Sequence, residues 1–73
     1  MNNRTFDVGK IIGMIDGVLG NEIPRHIWEK MSQFLEDQND ELTEELISFV
    51  EMALPETPIK EIILLNLEDF LSQ

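Results

Sequence analysis

Apolar residues return every three or four positions along nearly the whole chain, a spacing that lines one face of a helix and fits no strand. The first series is Val8, Ile11, Ile12, Ile15, Val18 and Leu19, and the second is Ile27, Trp28, Met31, Phe34 and Leu35. A third runs through Leu42, Leu46, Phe49, Val50 and Ala53, and a fourth through Ile59, Ile62, Ile63, Leu64, Leu67, Phe70 and Leu71. Helix-ending and helix-starting residues fall between the series. Thr5 stands where the first helix needs a cap, Gly20 where it should end, and Pro24 is pre-set for the first turn of the second. The second helix closes at Asp37 to Asp40, Asn39 or Asp40 caps the third, and Pro55 stops it. Thr57 and Pro58 open the fourth. These signals predict an all-α fold: a compact bundle of four short helices, with short connections that make consecutive helices antiparallel neighbours.

At 73 residues the chain is expected to form one domain, residues 1–73. A domain of this size buries only about 60% of the surface its unfolded chain exposes, so its own core supplies a few kcal/mol of stability. Association with a second copy or with another protein is therefore an expectation from the outset. Cysteine is absent, which excludes disulfides, thiol catalysis and thiolate metal sites, and His26 is the only histidine to offer zinc. The opening MNNRTFDVGK has no apolar stretch, and the longest apolar run, Ile62 to Leu65, is far too short to span a bilayer. A cytoplasmic chain without a signal peptide or a membrane segment is expected.

Charge is distributed unevenly. Fifteen acids against five bases give a formal net charge of -10 at pH 7. Residues 1–30 are balanced, with Asp7, Asp16, Glu22 and Glu29 against Arg4, Lys10, Arg25 and Lys30. Residues 31–73 hold eleven acids and one base, Lys60, so the whole net charge resides there. The densest stretch is Glu36, Asp37, Asp40, Glu41, Glu44 and Glu45, with Glu51 two turns further on. On a helical wheel Glu41, Glu44, Glu45 and Glu51 fall opposite the third apolar series. Such a pole repels nucleic acid and anionic membrane surfaces and attracts basic protein surfaces. These seven acids are the candidate partner-binding residues, together with Trp28, which is either half-buried core or an exposed anchor beside them.

Two local features depart from the plain amphipathic pattern. Gly9, Gly13 and Gly17 lie four apart on the first helix, each costing about 1 kcal/mol relative to alanine. Either the fourth helix or a second protein chain approaches this ridge closely, or the first helix is frayed and irregular. The fourth helix has an apolar arc wider than half its circumference, with Leu65 outside it and Asn66 within it. Such a helix is central or forms an interface, so Gly9, Gly13, Gly17, Leu64, Leu65 and Leu71 are the candidate self-association residues, pointing to a homodimer. Asn66 is either a satisfied core amide or a polar residue that fixes register between chains.

Catalytic and ligand motifs are incomplete. Ser32, Ser48 and Ser72 have one histidine to serve them all, and His26 falls on a polar helix face with Lys30, Gln33 and Asp37. Asp37, Asn39 and Glu41 imitate the start of a calcium loop, but Leu42 stands where its glycine belongs and Ser48 where its glutamate belongs. Gly9-Lys10 lacks the spacing of a phosphate loop, and no helix carries a basic base-reading face. No enzyme activity, metal, cofactor or direct nucleic-acid binding is expected.

The stretch IIGMIDGVLGNEIPRHIWEKMSQFL resembles the opening of small helical immunity proteins of the colicin D type and of contact-dependent inhibition systems. The resemblance covers about a third of the chain and rests on Ile15, Leu19, Gly20, Ile23 and Trp28; the C-terminal pair of helices does not align. It implies an acidic helical protein that occupies the basic cleft of a toxic nuclease. The sequence thus predicts a non-enzymatic acidic binding protein, an immunity protein, antitoxin or phage-type inhibitor acting on a basic nucleic-acid-handling partner. The alternative is a small helical adaptor that self-associates through the fourth helix, its acids serving solubility alone.

Overall fold

The structure, a computed structural model, describes residues 8–37 and 39–72. Helix α1 spans Val8–Leu19, α2 Arg25–Glu36, α3 Asp40–Ala53 and α4 Pro58–Leu71, with one short 3-10 turn at Gly20–Glu22 between the first two. Among the described residues there is no strand. The expected all-α bundle of four short helices is the observed architecture. Each helix packs on the next, and α4 returns to contact α1, which closes the arrangement; the radius of gyration is 11.3 Å. A compact chain of this length has about 11 Å.

Local chemistry explains where each helix starts and stops. Gly20 takes a left-handed φ of 53°, a conformation glycine adopts without steric cost, and this ends α1 and turns the chain into the 3-10 segment. Pro24 stands one position earlier than expected, at the N-cap of α2, where its carbonyl accepts from the Ile27 and Trp28 N–H groups at 3.0 and 3.1 Å. Asn39, not Asp40, caps α3: its Oδ1 accepts from the Leu42 N–H at 2.8 Å. Thr57 caps α4, with Pro58 in the first turn. The expected Thr5 cap of α1 lies outside the described residues. Helix α1 is regular from Val8 to Leu19 despite its glycines, so the frayed alternative does not hold over that span.

The core collects one stripe from each helix. Ile11, Ile15, Met31, Phe34, Leu46, Val50, Ile63 and Leu67 are fully shielded from solvent. Phe34 of α2 meets Phe70 of α4 edge to face, with ring centroids 5.3 Å apart and planes at 79°, so the aromatic pair ties non-consecutive helices. Thr43 is buried as well, although it lies outside the apolar series. Its hydroxyl donates to the Asn39 carbonyl at 2.8 Å, which satisfies the polar group in place.

Helix α4 buries a narrower face than its apolar arc suggests. Ile63, Leu67 and Phe70 are buried, Leu64 and Leu71 are half-buried, and Ile59, Ile62 and Leu65 are exposed. Leu35 of α2, counted with the apolar series, is exposed too.

Lys60 completes the buried face of α4. Its ammonium donates to the Glu51 carbonyl at 3.1 Å and to Glu56 Oε2 at 3.0 Å. The Glu51 carbonyl is one of the last four of α3, which have no partner within their own helix, so Lys60 caps α3 from the neighbouring helix. The ion pair itself contributes little, because the Glu56 side chain is 89% exposed. Lys60→Met keeps the buried stem and orphans the carbonyl, and is expected to cost about 1–2 kcal/mol. Glu56→Gln is expected to stay within about 0.5 kcal/mol. Thermal melts of both variants check this: equal losses, or a Lys60→Met loss that vanishes at high salt, mean that the ion pair and not the carbonyl bond matters.

Candidate functional site

Helix α3 presents its acids outward because its buried stripe, Leu42, Thr43, Leu46, Phe49 and Val50, occupies the opposite side. Asp40, Glu41, Glu44, Glu45 and Glu51 are all exposed, and Glu36 and Asp37 at the end of α2 are exposed as well. The seven predicted acids therefore reach solvent, on two helices and the turn between them. Their environments differ. Glu45 Oε2 pairs with Lys30 of α2 at 3.1 Å, and Asp37 Oδ2 accepts from Asn39 Nδ2 at 3.1 Å. Glu36, Asp40, Glu41, Glu44 and Glu51 form no ion pair among the described residues. Lys60, the single base of residues 31–73, is buried and bonds Glu56 and the Glu51 carbonyl, so its ion pair is with none of these seven acids.

Trp28 is 37% exposed, at the margin of the core. Helical spacing places it with Leu35, seven residues on, on the flank of α2 opposite Lys30. Lys30 marks the seam with α3, so Trp28 faces away from the seam that holds Glu45.

The glycine ridge is open. Gly9, Gly13 and Gly17 are exposed, and a Cβ built on Gly13 or Gly17 meets nothing within 4 Å. The expectation that α4 folds over the ridge is therefore corrected: α4 packs on the apolar face of α1, and the glycines lie on its other side. With helical backbone and free space, Gly13→Ala is expected to raise stability by about 1 kcal/mol. A thermal melt checks the sign, and a lower midpoint would reveal a close neighbour at that position.

Asn66 is half-buried and donates to the Ile62 carbonyl of its own helix at 2.8 Å. Its amide is satisfied locally. Of the candidate self-association residues on α4, Leu64 packs against the core, Leu71 is half-buried, and Leu65 stands 65% exposed. Sequence reasoning missed the exposed companions of Leu65, namely Ile59 and Ile62, and it missed the structural use of Lys60. His26 is exposed, as its polar helix face suggested, and so are Ser32, Ser48 and Ser72.

Among the described residues, no group of three or more His, Cys, Asp or Glu side chains is placed to hold a metal ion. Nor is any helix among them long and apolar enough to cross a membrane. In comparisons with protein-family models, with curated proteins and with solved structures, the chain matches none.

Proposed function

We propose that the protein is a non-enzymatic acidic binding module whose α3 face docks on a basic, nucleic-acid-handling protein, as an immunity protein, antitoxin or phage-type inhibitor does. The observation that carries this reading is the one-signed outer face of α3. Five acids line it, and the single base of the C-terminal part is buried behind it. A solubility device needs no such segregation, because interspersed charges of both signs serve solubility as well. A groove built for a nucleic-acid backbone is lined by Lys and Arg, and an acidic helix is the protein surface that complements it. The resemblance of the stretch from Ile11 to Leu35 to immunity proteins of the colicin D type points the same way.

The test compares the native chain with the variant Glu41→Lys, Glu44→Lys, Glu51→Lys as immobilised baits for proteins of the native host. A basic nuclease or other nucleic-acid-binding protein retained by the native bait and lost from the variant is the expected result. Equal retention by both baits favours the adaptor reading, in which the acids serve solubility only.

A further inference from the structure

We propose that the outer flank of α4, carrying Ile59, Ile62 and Leu65, is a docking strip for a basic amphipathic helix of a partner protein. The proposal rests on the reading of the chain as an acidic binding module and adds to it a second, apolar contact surface. The three side chains are 42%, 37% and 65% exposed and stand three residues apart on one helix, which makes them a continuous ridge. The ridge lies on the flank of α4 away from Lys60, and Lys60 marks the side that faces α3. No described residue of α3 is therefore placed to cover it.

Charge decides the occupant. Leu65 has Glu61 one turn before it and Glu68 one turn after it, both exposed, and the only base of α4 is buried. An amphipathic helix with leucines on one face and lysines or arginines beside them seats its apolar side chains on the ridge and its cations on Glu61 and Glu68. A second copy of this chain fits less well. A two-fold contact through this flank sets the two glutamates of each copy beside those of the other, between molecules that each carry -10.

The probe is a dansyl-labelled fourteen-residue helical peptide of leucine and lysine, titrated with the full chain and followed by fluorescence anisotropy. Binding is expected to weaken at least tenfold in Leu65→Ser and in Ile62→Ser. It should weaken several-fold in Glu61→Gln with Glu68→Gln at low salt, and not at all for that pair at high salt. A peptide with glutamate in place of lysine is expected not to bind. Leu65 is the more exposed residue, so Leu65→Ser should keep the native melting curve and remain informative if Ile62→Ser does not fold. Undiminished binding by a folded Leu65→Ser overturns the strip. If that binding is lost instead in Glu41→Lys, Glu44→Lys, Glu51→Lys, the acidic face of α3 acts alone, and the proposed function stands while the strip falls. Sedimentation showing a native dimer that Leu65→Ser dissociates overturns it in favour of a second copy.

Discussion

Phe34→Ala is expected to leave most of the chain unfolded at room temperature. Phe34 is fully buried on α2 and packs edge to face on Phe70 of α4, so its truncation removes apolar burial, the aromatic contact and close packing at the centre together. Phenylalanine-to-alanine changes in cores cost about 3–5 kcal/mol. A domain of this size has only about that much stability in total. Phe34→Leu keeps most of the volume, is expected to lose under about 1.5 kcal/mol, and should still fold. Far-ultraviolet circular dichroism distinguishes them. A Phe34→Ala protein that retains a cooperative melt shifted by only a few degrees would show that the helices do not depend on this contact.

The second large effect is kinetic. Clefts lined by one sign of charge raise association rates by about 10–10³-fold, and salt suppresses that gain. Glu41→Lys, Glu44→Lys, Glu51→Lys changes the local charge by six units at exposed positions. Two other acids of α3 are left native. Glu45 pairs with Lys30, so a lysine there would meet a like charge, and of the two first-turn acids, Asp40 and Glu41, Asp40 is kept so that a negative charge still favours the start of the helix. Association with the basic partner is expected to slow by at least tenfold at low salt, with the difference shrinking as salt rises. The matched control, Asp16→Lys, Glu22→Lys, Glu29→Lys, changes the charge equally in the balanced part of the chain and is expected to slow association much less. Stopped-flow rates for the two variants decide the matter. Equal slowing assigns the effect to net charge, and a native rate indifferent to salt removes steering altogether.

The elements were legible because their signals are local. Asn39 and Thr57 cap within three residues of themselves, Gly20 turns the chain by its own φ, and each apolar series needs only its own helix to be recognised. The outward acids of α3 were legible for the same reason. What failed to show was which part of a wide apolar arc the neighbours would cover. Ile59, Ile62 and Leu35 have the same periodicity as buried residues, and only the positions of the other helices leave them in solvent. Lys60 reads as a surface lysine until the end of α3 is placed beside it. The Lys30–Glu45 pair joins residues fifteen apart, and no spacing rule on one helix finds it. Four-residue spacing of the glycines permits close approach without naming the neighbour, and within the chain α4 does not take that place at Gly13 or Gly17.

Burial of Lys60 also determines how the molecule can be tethered. Lysine amines that react with a surface or a label must be reachable, and in residues 31–73 the single lysine amine is enclosed and donating to Glu51 and Glu56. Conjugation at lysine therefore proceeds through the first thirty residues, at exposed Lys10 and half-buried Lys30. A chain attached through Lys10 holds on by its charge-balanced part and leaves the glutamates of α3 unmodified.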